Sequence, residues 1–211
     1  MPYIDSLLNL YSKGRRMNVN IKQISGSWDE GYAMDKHMKK STYLGDNEYG
    51  RPQFHNERTE VGEAVYQLKY QEDWNQVDPL AECLLQHAVP LFKDIQLIIP
   101  MAATNPRTRQ PVTAVASSLA AKMGGGMGCF DGMILKRAGG TSLKDLDTRA
   151  EKEAAVANMF SYQDLITSSG KYNALIIDDL YHTGVSMEAA VTALRGYNKI
   201  NKIYVAALTW R

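Results

Sequence analysis

The chain has 211 residues, 45% hydrophobic and 22% charged: the composition of an ordinary globular protein with one sizeable core and too little length for two full domains. Lys and Arg number 24 and Asp and Glu 23, a formal charge of +1, so nucleic acid as a partner would need a local basic groove and has no support from net charge. Cys83 and Cys129 stand far apart without a CxxC partner, which excludes a zinc ribbon and favours a reduced, cytoplasmic setting; no apolar run approaches the roughly 20 residues of a membrane span.

Near the start, Ile4, Leu7, Leu8 and Tyr11 fall at helical spacing ahead of Lys13, Arg15 and Arg16. A secretory signal carries its charge before the apolar stretch, so this order predicts a short amphipathic helix ending near Gly14. Up to about residue 75 the chain is polar and rich in aromatics and glycine, with Trp28, Gly31, Tyr32, Tyr43, Gly45, Tyr49, Gly50 and Phe54. Val19 to Ile24 alternates weakly, as a strand does, and Val61, Val65, Leu68 and Lys69 sit at i, i+4, i+7 and i+8, which predicts a helix to Tyr70. Residues 1–60 are read as a small N-terminal subdomain or flap and 61–211 as the main domain.

From Asp78 the pattern becomes βαβ. Asp78-Pro79 reads as an N-cap with Pro at N1, followed by Leu80, Leu84, Ala88 and Leu91 along one helical face. Ile95 to Ile99 is a short apolar strand stopped by Pro100. Pro111 opens a helix whose Val112, Val115, Ala116, Leu119, Ala120 and Met123 form one stripe, ended by Gly124-Gly125-Gly126. Met133 to Leu135 predicts a strand leading to Lys136-Arg137, Gly139 to Asp147 a polar loop, and Thr148 to Met159 a helix. Ala174 to Ile177 is a buried strand, Met187, Ala190, Val191 and Leu194 mark a helix, and Ile203 to Leu208 is the last strand. Short apolar runs alternating with helices predict an α/β fold, a mostly parallel central sheet with helices on both faces.

The chemistry concentrates in Asn173 to Ser186, the string Asn-Ala-Leu-Ile-Ile-Asp-Asp-Leu-Tyr-His-Thr-Gly-Val-Ser. A buried strand delivers Asp178 and Asp179 to its carboxyl end, where open α/β sheets bind ligands. A turn with Thr183, Gly184 and Ser186 then opens a helix, whose unpaired N–H groups and partial positive charge suit a phosphate. Gly184 lets the backbone approach that phosphate closely. Carboxylates repel phosphate but accept hydrogen bonds from sugar hydroxyls, so carboxylates and cradle together fit a ribose 5-phosphate.

This segment resembles the phosphoribosyl pyrophosphate (PRPP) motif of the type I phosphoribosyltransferases: four apolar residues, two acids, two mainly apolar residues, then a Thr/Ser-Thr-Gly-x-Thr/Ser loop, with His182 standing where Thr or Ser is usual. Upstream, Ile98-Ile99-Pro100-Met101-Ala102-Ala103 and Arg107-Thr108-Arg109-Gln110 are similar to the pyrophosphate-loop region of the ComF-like amidophosphoribosyltransferase family. Lys136-Arg137, Thr141 to Leu146, Arg149, Asn158-Met159-Phe160 and Leu68-Lys69-Tyr70 resemble further strings of that family. The likeness covers about residues 60–211. The four-Cys zinc module and the Arg-Gly-Phe-Asn-Gln string of the family are missing here; Arg109-Gln110-Pro111-Val112 replaces the latter.

The resemblance implies a set of roles. Asp178 and Asp179 orient the ribose, and Tyr181, His182, Thr183, Gly184, Val185 and Ser186 bind its 5-phosphate. Met101, Ala102, Arg109, Lys136 and Arg137 take the pyrophosphate, with Lys136 and Arg137 counted beside the two aspartates as catalytic. Lys144 and Arg149 belong to a mobile loop closing over the ligand. Mg²⁺ arrives with PRPP, held mainly by ligand oxygens and water, and no protein metal site is expected: Asp35, His37, Glu48 and His55 follow no recognised ligand spacing. The implied activity is phosphoribosyl transfer to an unidentified base or amine; the alternative is a PRPP or nucleotide sensor, or an accessory factor in DNA uptake or processing. No membrane partner is expected, and a homodimer is left open. The aromatics from Trp28 to Phe54 offer either a stacking platform for the acceptor or simply a hairpin held against the sheet.

Overall fold

The computed structural model describes residues 16–105, 107–137, 146, 148–156 and 159–211, and the predicted N-terminal helix lies outside them. In chain order the elements are β1 (Lys22–Gln23), β2 (Glu30–Lys36), β3 (Met38–Asp46), β4 (Pro52–Arg58), α1 (Glu60–Tyr70), α2 (Val77–His87), β5 (Leu97–Pro100), α3 (Pro111–Met123), β6 (Gly128–Cys129), β7 (Ile134–Lys136), α4 (Arg149–Val156), β8 (Phe160–Tyr162), β9 (Tyr172–Tyr181), α5 (Val185–Arg195) and β10 (Ile200–Trp210).

Six strands form the central sheet in the order β1-β2-β10-β9-β5-β6, parallel throughout except for β1 on β2. Side chains on a strand alternate between faces, and here they divide two apolar layers. Leu175, Ile177, Tyr204, Ala206 and Leu208 meet α1, α2 and α3 on one face. Ala174, Ile176, Ile203, Val205 and Ala207 meet α5, Val156 of α4 and the β7–β8 pair on the other. The sheet is thus parallel, buried and covered by helices on both sides, the α/β class expected from the alternation of apolar runs and helices.

Strand order fixes where a ligand can enter. From β5 the chain leaves through α3 to β6 on one side, and from β9 it leaves through α5 to β10 on the other. The two connections diverge and run over opposite faces, so a crevice opens between the carboxyl ends of β5 and β9.

Several elements differ from the sequence expectations. Only Lys22–Gln23 of the Val19 to Ile24 segment is strand, and β2, which was not anticipated, lies inside the central sheet with Tyr204 to Trp210 of β10 beside Glu30 to Lys36. The segment read as an N-terminal flap is therefore of two kinds: β1 and β2 complete the sheet, while β3 and β4 pair only with each other as an antiparallel ribbon. Trp28 and Tyr32 do not form a shared platform. Trp28 is buried on the α5 face with its Nε1 donating to the Ile24 carbonyl at 3.0 Å, whereas Tyr32 packs on Phe92 at 5.5 Å on the other. Asp78 does not cap α2, which starts at Val77 straight after a 3-10 turn (Trp74–Gln76) capped by the Asp73 side chain; the Asp78 carboxylate instead accepts from Ser118 Oγ of α3 at 2.6 Å.

Candidate functional site

The last residues of β9 leave the sheet with their side chains still alternating. Asp178 lines a cavity of about 580 Å³ together with Thr183, Gly184, Val185, Ser186 and Arg211. Asp179 turns to the opposite face and forms an ion pair with Lys69 at the end of α1. The two carboxylates thus diverge, although the Asp179 backbone N–H still donates to Asp178 Oδ1 at 2.8 Å.

Below Asp178 the chain turns through Gly184, which sits at φ 77° in the left-handed region; a Cβ there would lie 2.9 Å from Tyr181 Oη. Gly184 is the N-cap of α5, and no side chain caps the helix at this position. The first intrahelical bond runs from Glu188 N to the Gly184 carbonyl at 2.8 Å, no side chain caps the N–H groups of the first turn, and Val185, Ser186 and Met187 of that turn line the cavity. Ser186 lies inside the first turn of the helix. Thr183 is half-buried and His182 exposed. Arg211, whose N–H donates to the Tyr181 carbonyl at 3.0 Å, closes the cavity with a cation absent from the sequence-derived site.

Across the crevice, Met101 N donates to the Ile177 carbonyl at 2.8 Å and ties the loop after β5 to β9. Met101 is buried, with Ala102 packed beside it. Lys136 reaches the same loop, its Nζ donating to Thr104 Oγ1 at 2.9 Å. Burial lowers the Lys136 pKa while the Asp178 charge opposes that shift, which places the ammonium within electrostatic range of the carboxylate. Arg137 is exposed, and its backbone N–H holds the Met159 carbonyl at 2.8 Å. Arg109 is not brought to this group: its guanidinium stacks on Trp74 at 4.1 Å. Arg107 instead donates to the Lys69 carbonyl at 2.7 Å, linking the same loop to the ion pair. Lys144 and the Arg149 side chain lie outside the described residues.

The electrostatics follow from burial. Desolvation, reinforced by the charge of Asp179, pushes the Asp178 carboxyl up to about 8, so that near neutral pH it retains a proton it can donate. Burial alone would lower the Lys69 pKa, but the Asp179 charge and hydrogen bond raise it above the ordinary lysine value. Lys69 is the main functional candidate that residue patterns missed: it continues the apolar stripe of α1, and only the Leu-Lys-Tyr string drew attention to it. Among the described residues no group of three or more His, Cys, Asp or Glu could hold a metal ion. No described helix is long and apolar enough to cross a membrane.

No family model and no curated protein matches the chain. Among solved structures it is similar to the adenine phosphoribosyltransferase of Trypanosoma brucei in complex with AMP, pyrophosphate and ribose-5-phosphate, at 12% identity over 93% of this chain and 76% of that one, with a TM-score of 0.48. It is similar to a hypoxanthine phosphoribosyltransferase of Staphylococcus aureus at 15% identity and a TM-score of 0.39, covering 64% of this chain and 63%, under two thirds, of that one. An adenine phosphoribosyltransferase of Leishmania donovani aligns over 90% of this chain and 86% of its own at 8% identity and a TM-score of 0.41.

Proposed function

We propose that the chain binds PRPP and transfers its phosphoribosyl group to a base or amine, releasing pyrophosphate. The observation that carries this reading is the single cavity in which Asp178 faces the uncapped N-terminus of α5 across the Gly184 turn. The first-turn N–H groups and Arg211 hold the 5-phosphate, and Asp178 bonds a ribose hydroxyl. Lys136 and Arg137 meet the pyrophosphate at the crevice between β5 and β9, where charge builds as the C1–O bond breaks. The donor set fits a Mg²⁺ carried by pyrophosphate oxygens, because Asp178 is the one carboxylate among the described residues lining the cavity; bound there, the ion would neutralise the leaving group. The β3–β4 ribbon, with its exposed Tyr43–Phe54 pair at 5.6 Å, would supply the acceptor side.

A second reading, a PRPP or nucleotide sensor or a ComF-like accessory factor, draws on one observation: Arg109, the cation expected on the pyrophosphate, is engaged by Trp74. Turnover separates the two. PRPP carrying an isotope label in its pyrophosphate, incubated with Mg²⁺ and pooled bases and amines, is expected to release labelled pyrophosphate in proportion to enzyme and only when an acceptor is present. Saturable PRPP binding without release from any pool would replace transfer by sensing.

A further inference from the structure

The last turn of α1 touches both walls of the crevice. The Lys69 ammonium pairs with the Asp179 carboxylate at the end of β9, and the Lys69 carbonyl accepts from Arg107 Nη1 at 2.7 Å in the loop after β5. The Asp179 end of the pair is nearly dry. Its side chain is 14% exposed, and the space beside the two groups, walled by Val65, Leu68, Val112, Val115 and Leu208, is about 10 Å³, at the limit for a single water. Little solvent reaches the Asp179 carboxylate to stand in for Lys69.

From Asp179 the connection runs on into the cavity. Its side chain is held by Lys69, its carbonyl accepts from the buried Thr209 hydroxyl at 2.8 Å, and its backbone N–H donates to Asp178 Oδ1 at 2.8 Å. So held, Asp179 presents that N–H in one orientation, and the Asp178 carboxyl, which lines the cavity, is oriented with it. Lys136 from β7, and His182 and Arg211 in the cavity lining, also face Asp178. Lys69 differs from them in being joined to it through Asp179.

We infer that Lys69 is a positioning residue for phosphoribosyl transfer: by neutralising Asp179 on the far face of β9, it sets how Asp178 meets the ribose hydroxyl on the near one. This role rests on the transfer reading above and deepens it. Asp179 is then no second ribose ligand, and the cavity recognises the sugar through one carboxyl. The electrostatics run the same way. After desolvation, the Asp179 charge is what raises the Asp178 pKa, and Lys69 opposes that rise. Two adjacent carboxyls resist carrying two negative charges together, and the ammonium eases the second ionisation. Its loss moves the upper midpoint of the pair higher.

Calorimetry of Mg²⁺–PRPP with single and double variants tests this. Lys69→Met, which keeps most of the side-chain length and removes the charge, should bind PRPP about tenfold more weakly, and Lys69→Arg should restore most of the affinity. In an Asp178→Asn background the same Lys69→Met change should cost nothing further, because Lys69 acts through Asp178. With ¹³C-labelled aspartate carboxyls, and Asp178→Asn identifying the resonance, the upper midpoint of about 8 should rise in Lys69→Met and hold in Lys69→Arg. Where Lys69→Met fails to fold because a shielded carboxylate is left unpaired, Lys69→Met/Asp179→Asn takes its place; its Asp178 midpoint should fall below that of wild type, with PRPP again bound about tenfold more weakly. Losses that add in the Asp178→Asn background, or a midpoint or affinity unmoved in whichever of these variants folds, would overturn the positioning role while PRPP binding by wild type stands. Absence of PRPP binding by wild type would instead overturn the transfer reading, and this role with it.

Discussion

Asp178 and Asp179 are adjacent in the chain yet meet different surroundings, and their chemistry separates accordingly. Asp179 has its countercharge in Lys69, whereas Asp178 is desolvated beside it and keeps its proton to about pH 8. A carboxyl whose folded pKa is raised loses native-state stability as pH rises, from the unfolded value near 4 up to the folded one. Asp178→Asn is therefore expected to be more stable than wild type, by an amount that grows by about 1 kcal/mol per pH unit across that window and levels off above it, as read from urea unfolding at a series of pH values. A constant difference from pH 5 to 8 would show that Asp178 titrates normally. Lys69→Ala should act in the opposite sense, leaving Asp179 shielded and unpaired at a cost on the order of 2 kcal/mol, intermediate between an exposed and a buried ion pair. Unfolding midpoints of Lys69→Ala and of Lys69→Ala/Asp179→Ala check this: the double variant should recover part of the loss.

At the level of elements, the clearest sequence signals came from those that carry their own punctuation. Helix α3 begins at Pro111 and ends at Gly124, whose φ of 67° no other residue adopts easily, and both signals are local. The β9–turn–α5 unit was legible for the same reason, since the apolar run, the acids and Gly184 follow one another in order. Its turn yields a further prediction: Gly184→Ala forces a Cβ into the left-handed region against Tyr181 and should cost about 1–2 kcal/mol, lowering phosphate affinity more than an Ala at the exposed His182 would. Thermal unfolding and ribose 5-phosphate titration of both variants measure this. What was not legible depended on partners distant in sequence. β2 has a central position, yet its Gly31, Tyr32 and Asp35 give no apolar run. Helix α2 starts ahead of Asp78 because the 3-10 turn Trp74–Gln76, capped by Asp73, runs straight into it, and the Arg109 guanidinium is taken up by the Trp74 ring.

Over the whole molecule, a formal charge of +1 conceals an uneven arrangement. Lys69, Arg107, Lys136 and Arg211 gather at the carboxyl edge of a parallel sheet, around two acids that the strand turns to opposite faces. The topology leaves that edge open to a ligand, because the connections after β5 and β9 part over opposite faces and a crevice lies between them. α1 joins the parts: Gly62 near its start packs on His37, and Lys69 at its end holds Asp179. The central claim is that a phosphoribosyl ligand sits between Asp178 and the N-terminus of α5, and its most direct test is a calorimetric titration of Mg²⁺–PRPP into wild type and into Asp178→Ala, both shown to be folded by circular dichroism. Saturable heat in wild type, with affinity at least about tenfold weaker in the variant, is the expected result for a lost hydrogen bond to the sugar. Equal affinity in the two proteins, or no saturable heat in wild type, would contradict it.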